Sequence, residues 1–592
     1  AMEDYGEDLN ANQHCRATGD ATLDKAIYQW ITWDKNPRTR AQIEALLGDG
    51  NLEELRRRLC ARMAFGTAGL RATVGAGFAL INDLTIIQST QGMYKYLDKC
   101  FPDVGTRGIV IGYDTRGQEA SGCSSQRLAK LTAAVMLCKD VPVYLFSTYV
   151  PTPFVVYWEN GAQICAPHDK EVIRCIEESL EPWAESWNEN LSDSSPLRKD
   201  PLEDISRCYM EELASLCFHR ELNSRTPLKF VHSAFHGVGH NYVQMAFREF
   251  GFSPPIPVPE QMLPDPEFPT VSCPNPEEGE SVLDLSFRLA ENKGARIVLA
   301  TDPDADRLAV AEICDNSRWR VFTGNELAAL LGWWMLLNWK DQHPDAAETD
   351  KVYMLATTVS SKVLQAFAQI EGFHFEETLP GFKWIGNKIH ELEKKGKVVL
   401  FAFEESIGFM CGSMVPDKDG VSAAVVVAEM VSYLNDKNLT LSQQLENIYE
   451  IYGLHISRTS YVICYDSPTI KRIFSGLRNW GGKEGYPDSC GGYKITHIRD
   501  VTTGYDSSQP NHKCVLPVMK SSQMVTFTFQ NGLVATLRTS GTEPKIKYYA
   551  EIRAPPGNRD GSSLKEELLK VTGTLVEEFL EPDKNNLVRR SV

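Results

Sequence analysis

The chain alternates between short apolar runs and helix-length segments, which restricts it to folds where helices cover a buried sheet. The first block predicts a helix over 88–100, a strand over 108–113, a helix over 124–138 and a strand over 142–146. A second block predicts a strand over 229–235, a helix over 242–250 and a strand over 295–301; the proline-rich stretch 254–276 reads as an extended loop. The third predicts strands over 352–357 and 397–403 and helices over 361–370 and 421–434. The last predicts strands over 525–529, 533–539 and 545–552, closed by a charged helix over 563–580. Ahead of them, 23–33 and 41–58 read as helices. The sum is three α/β blocks and one α+β block. A chain of 592 residues fits that count, at roughly 100–200 residues per domain.

Composition narrows the function. The 43% hydrophobic and 23% charged residues argue against collagen, long coiled coil and wholesale disorder. The net charge of −17 argues against a surface that coats nucleic acid. No apolar run approaches the roughly 18 residues of a membrane span; the longest, 330–337 and 423–427, are short or broken by charge. Residues 1–20 are acidic and lack the regions of a signal peptide, and the Ala1-Met2 start suggests an incomplete or altered gene end. The 15 cysteines are scattered without a Cys-x-x-Cys pair. That usage predicts reduced thiols in a cytosolic protein.

The strand-like run Ala295-Arg-Ile-Val-Leu-Ala-Thr301 feeds directly into Asp302-Pro-Asp304-Ala-Asp306-Arg307. Carboxylates at every second position after a strand can converge on one hard cation. An EF-hand loop fails, because its sixth and twelfth positions hold Arg307 and Ile313. A solvated acidic turn is the plain alternative, and the apolar run on each side counts against it. Mg²⁺ is the expected ion. It takes few protein ligands plus substrate phosphate, so a phosphate site is expected nearby.

Three segments could hold that phosphate. Arg538-Thr-Ser540-Gly541-Thr542-Glu-Pro-Lys545 lies between two predicted strands and could close backbone N–H groups around an anion, with Arg538 forking onto it, although taken alone a polar hairpin turn is the better reading. His236-Gly-Val-Gly-His240 joins a strand to a helix. It lacks the third glycine of a dinucleotide fingerprint, and a packing turn is the better reading. Phe65-Gly-Thr67-Ala-Gly69-Leu-Arg71 combines two glycines, a hydroxyl and an arginine. For a sugar, Glu404 and Ser406 at a strand end offer a carboxylate and a hydroxyl. Lys418 sits between Asp417 and Asp419, which would raise its pKa; only desolvation would lower it toward a base.

The order Gly-Thr-Ala-Gly-Leu-Arg, Asp-Pro-Asp-Ala-Asp-Arg, Glu-Glu-Ser-Ile-Gly, Arg-Thr-Ser-Gly-Thr resembles the α-D-phosphohexomutase superfamily along nearly the whole chain. The stretches 86–96, 378–386 and 503–510 are most similar to its members that make glucose 1,6-bisphosphate, with mutases acting on pentose phosphates close behind. The resemblance implies four domains around a central cleft: 20–200, 201–320 and 321–455 as α/β units with mixed sheets, and 456–592 as an α+β unit. It implies Mg²⁺ on Asp302, Asp304 and Asp306 together with a phosphoserine of the first domain. It implies catalytic roles for Arg71 and for Lys418, the latter in proton transfer. Arg307, Glu404, Ser406, Arg538, Ser540, Gly541, Thr542 and Lys545 are implied as substrate-binding. Lys545 and Lys547 stand where many relatives carry an arginine, and a lysine binds phosphate without the fork. The implied reaction moves a phosphoryl group from 1,3-bisphosphoglycerate through the serine to glucose 1-phosphate, giving glucose 1,6-bisphosphate.

One part of the pattern is missing. The superfamily's serine lies in Thr-Ala-Ser-His-Asn, and this chain contains no Ser-His-Asn. Residues 148–154 match the stretch that begins the helix before that motif, and 155–163 match the stretch well after it. The chain therefore skips roughly 25–30 residues, about one strand and helix of a crossover unit. Ser147, Thr148 and Thr152 lie before the gap, and none is followed by His-Asn. Domain one is expected to be incomplete, with an unpaired sheet edge, and the metal to lack its phosphoserine ligand. Two readings follow. Either the gene product is a phosphotransferase and this form lacks its nucleophile, or the chain is a non-catalytic sugar-phosphate-binding or regulatory protein.

Overall fold

The computed structural model describes residues 18–590 apart from 67, 68, 156, 157 and 542. The expectations for the N-terminal 17 residues and for Thr67 and Thr542 therefore lie outside the described residues. The chain forms two compact units, one running to Val321 and including Met414–Glu429, the other made of Phe322–Ser413 and Met430–Val592.

The first unit opens with helices Ala21–Trp33, Pro37–Gly48 and Leu52–Leu59, packed around the buried Ile27, Trp30, Ile43 and Leu55. The single helix expected over 41–58 is thus two. The first ends at Gly48 with Asp49 as its C-cap, and Asn51 caps the second, its Oδ1 accepting the Glu54 N–H at 3.3 Å. Helices Asp83–Cys100 and Ser125–Leu137 cover a parallel sheet in the order Ile109–Ile111, Val143–Leu145, Arg198–Lys199. This sheet is short, parallel throughout, and leaves Ile109–Ile111 as an edge on which Val110 is 40% exposed.

The unit's second sheet is mixed, in the order Trp319–Val321, Leu308–Ile313, Ile297–Thr301, Phe230–Ser233, Ile256–Pro257. Ile297–Thr301 has a parallel neighbour on one side and an antiparallel one on the other. All five of its residues are buried, so its first four are uniformly apolar instead of alternating. Its hairpin with Leu308–Ile313 pairs Thr301 with Leu308 and leaves 302–307 as the connecting loop.

The second unit holds a mixed sheet in the order His374–Thr378, Val352–Thr357, Val398–Glu404, Gly408–Cys411. It is served by helices Gly324–Gln342, Val363–Glu371 and Phe382–Lys394. The last sheet is antiparallel and centres on Met524–Phe529, Val534–Thr539, Lys545–Arg553 and His455–Ile463. One face packs Val525, Phe527, Leu537 and Ile546 against helices Ser467–Arg478 and Gly561–Leu575, the expected α+β layering. No described helix is long and apolar enough to cross a membrane, and 14 free cysteines are present among the described residues.

Candidate functional site

The acidic loop is fixed by its backbone before its side chains are considered. Ala305 takes a positive φ of 58° and its N–H closes on Asp302 O at 2.9 Å. Three segments hold the loop from outside. Val238 N–H donates to Pro303 O at 2.8 Å, Gly420 N–H to Ala305 O at 3.0 Å, and Thr152 N–H to Asp304 O at 3.0 Å. These approaches demand glycine: a Cβ on Gly237 would stand 2.2 Å from Pro303 Cα, and one on Gly420 would stand 2.4 Å from Arg307 O. The His236–His240 segment is therefore a packing turn that carries the acidic loop, as its sequence suggested.

Asp302, Asp304 and Asp306 each bring one carboxylate oxygen within 4.8 Å of the others. Asp302 Oδ1 also accepts the Arg307 N–H at 3.0 Å, and Asp304 Oδ2 accepts the Thr152 hydroxyl at 2.8 Å. Burial, reinforced by Asp304 and Asp306, pushes Asp302 well above the usual carboxylate range, and burial with Asp304 raises Asp306. Burial opposes the Asp304 charge as well. Asp302, Arg116 and Thr152 stabilise that charge, and its pKa is lowered. Clustered buried carboxylates of this kind need a proton or a cation between them.

A cavity of about 700 Å³ opens over the loop. Arg71, Arg307 and Lys418 line it together with the three aspartates, so six of the residues singled out in the sequence meet here. Lys418 Nζ lies 3.3 Å from Asp306 Oδ2 and 3.7 Å from Asp417 Oδ1. Its segment is pinned on both sides. Gln163 Nε2 donates to Asp417 at 2.7 Å and the Tyr209 hydroxyl to Asp419 at 2.6 Å, while burial raises Asp419 to about 6. Arg116 and Ser125 join the lining, both bound to Asp114, Arg116 at 3.1 Å and the Ser125 hydroxyl at 2.5 Å. Sequence reasoning assigned neither of them a role; the signal was a charged Asp-Thr-Arg triplet just past the strand Ile109–Ile111.

The remaining candidates lie in the second unit. Glu404 ends the strand Val398–Glu404, and Ser406 follows in a loop whose Ile407 has a φ of 57°. Neighbouring Glu405 receives the Ser360 hydroxyl at 3.1 Å and the Ser406 hydroxyl at 3.3 Å. Arg538 and Ser540 flank the turn between Val534–Thr539 and Lys545–Arg553, with Arg538 directly across from Lys547. Ser540 N–H donates to Lys545 O at 3.0 Å, Gly541 is exposed, and the buried Arg538 Nε has no protein acceptor among the described residues. Lys545 pairs with Glu543 at 3.2 Å and stands 4.2 Å over the Tyr461 ring.

Models of the phosphoglucomutase/phosphomannomutase α/β/α domains I, II and III match residues 62–166, 207–314 and 323–452. The chain is 65% identical to a glucose 1,6-bisphosphate synthase of Mus musculus, the match covering 100% of both chains. It is 55% identical to a phosphopentomutase of Homo sapiens, over 96% of this chain and 97% of the relative. In fold it matches a putative phosphomannomutase from Thermus thermophilus at a TM-score of 0.59 and 17% identity, covering 87% of this chain and 99% of that one. The mouse alignment has 620 positions against 592 residues here, so at least 28 of its positions (620 less 592) face no residue of this chain.

Proposed function

The chain belongs to the phosphoglucomutase/phosphomannomutase family, and on that premise we propose that the gene's reaction is synthesis of glucose 1,6-bisphosphate. The donor would be 1,3-bisphosphoglycerate and the acceptor glucose 1-phosphate. What carries this choice is the 65% identity to glucose 1,6-bisphosphate synthases along their length, against 55% for phosphopentomutase, the second reading. We place the domains at 20–200, 201–320, 321–455 and 456–592, and the protein in the cytosol.

In the reaction, a serine oxygen attacks the acyl phosphorus and 3-phosphoglycerate leaves with the carboxylate oxygen. The O6 hydroxyl of glucose 1-phosphate then attacks the phosphoserine, and the serine oxygen leaves. Asp302, Asp304 and Asp306 fit Mg²⁺, being three converging oxygen donors of which Asp302 and Asp306 are raised by burial and by neighbouring carboxylates, a cost that a bound cation would offset. Bound there, Mg²⁺ would neutralise charge on the transferred phosphoryl group. Arg71 and Arg307 face the same space and would orient the phosphate; Lys418 would exchange the proton at the transferring oxygen. Glu404 and Ser406 would read sugar hydroxyls. Arg538, Ser540, Gly541, Thr542 and Lys545 would hold the distal phosphate.

This form lacks the Ser-His-Asn segment, and we propose that it binds sugar phosphates without completing transfer. Incubation with 1,3-bisphosphoglycerate should leave it unlabelled, whereas a form restoring the segment should become a phosphoenzyme. Stable phosphate on a serine of the 592-residue chain would sink this reading. A restored form that stays unlabelled would sink the synthase assignment.

A further inference from the structure

Asp304 is gripped from a distant part of the chain. Thr152 lies 152 positions earlier and meets it twice, by its backbone N–H on Asp304 O at 3.0 Å and by its hydroxyl on Asp304 Oδ2 at 2.8 Å. The gripping segment is itself stiff. Thr152 opens a short helical turn, Thr152–Phe154, between Pro151 and Pro153, whose rings fix φ. The buried Phe154 anchors it, with ring centroids 4.7 Å from Tyr209 and 4.9 Å from Tyr242. Tyr242 in turn donates to Tyr149 O at 3.1 Å, tying down the start of the same segment.

A carboxylate whose one oxygen accepts a fixed hydroxyl presents the other in a set direction. Without that bond the side chain is free to turn, and three converging like charges favour its turning away. We propose that Thr152 is a positioning residue for the cation site, holding Asp304 in the orientation that lets the three aspartates share one divalent ion. This rests on the reading of the acidic loop as a cation site. Thr152 does not touch the ion or the reacting atoms; it acts through Asp304. The segment ends just before the junction where the Ser-His-Asn piece is missing, so this chain keeps the grip although it has lost the nucleophile.

Hydrogen-bond partners of ligating carboxylates typically account for about 10–100-fold in metal affinity, and a loss of that size is expected here. Mn²⁺ titrated into the full chain and followed by electron paramagnetic resonance reads it directly. Thr152→Val keeps shape and backbone N–H and should weaken Mn²⁺ binding about 10–100-fold, with the far-ultraviolet circular dichroism of the metal-free protein unchanged. Thr152→Ser keeps the hydroxyl and should bind as wild type, whereas Thr152→Ala should match the valine variant. Equal affinity in the serine and alanine variants, or in the valine variant and wild type, overturns the proposal and leaves the cation site standing. A wild-type chain that takes up no Mn²⁺ overturns the cation site itself, and the role of Thr152 with it.

Discussion

His232 sits in the strand beside Ile297–Thr301, buried, with Nε2 3.0 Å from the Thr301 hydroxyl that immediately precedes the acidic loop. Burial holds its pKa down at about 3, with His240 adding to the effect. From about pH 6.5 down to that value the unfolded chain binds a proton that the folded chain refuses. Stability is therefore complete above about 6.5 and is lost on acidification, by about 1.4 kcal/mol per pH unit inside the window. The urea midpoint should fall between about pH 6.5 and 4.5, and more steeply in wild type than in His232→Gln. Coincident slopes would show that His232 is not the titrating group. Nothing in the sequence around His232 announces this. A histidine in an apolar strand looks alike whether it is a ligand or a buried neutral side chain. Asp302, Asp304 and Asp306 were legible because the hairpin keeps sequence neighbours together. Thr152 was noticed only as a leftover hydroxyl, because its partner is a distant residue.

Among elements, those with one buried face or two strand neighbours were read closely: Val352–Thr357 falls on its expected limits and Ile297–Thr301 within two residues of them. Helix Gly324–Gln342 was seen only as the apolar run 330–337. It buries Leu327–Leu331, Trp334, Met335 and Leu336, and a helix covered on most sides shows no polar stripe. Its usable signal was the capping box, Thr323 and Glu326 each accepting the other's N–H. The missing segment predicted an unpaired sheet edge without naming the strand; Ile109–Ile111 is an edge strand, and the physical consequence of an exposed edge is intermolecular pairing. Light scattering at rising concentration should show self-association that Val110→Lys suppresses without moving the far-ultraviolet circular dichroism. If the lysine variant associates as readily as wild type, the exposed Ile109–Ile111 edge is not the contact.

At the scale of the whole molecule the binding groups fall into two sets. The aspartates, Arg71, Arg307 and Lys418 belong to the first unit, and Glu404, Ser406, Arg538, Ser540, Gly541 and Lys545 to the second. Lys418 follows Ser406 by only 12 positions in sequence, yet Tyr209 and Gln163 bind its neighbours into the unit that carries the metal loop. Sequence order could not reveal that, since a segment enclosed by one family domain is packed with another. The division makes the two functions separable. Arg538 has a buried Nε with no protein acceptor among the described residues, a donor suited to a phosphate oxygen, and charge-assisted bonds of this kind are each worth about 1.5–3 kcal/mol. Arg538→Gln should therefore weaken glucose 1,6-bisphosphate binding by about 10–100-fold and leave Mn²⁺ affinity unchanged. Asp304→Asn should abolish Mn²⁺ binding while leaving metal-free binding of the sugar bisphosphate close to wild type. Calorimetric titration of both ligands into both variants checks this. If Arg538→Gln lowers the two affinities together, the phosphate loop and the metal loop do not act as separate binding elements.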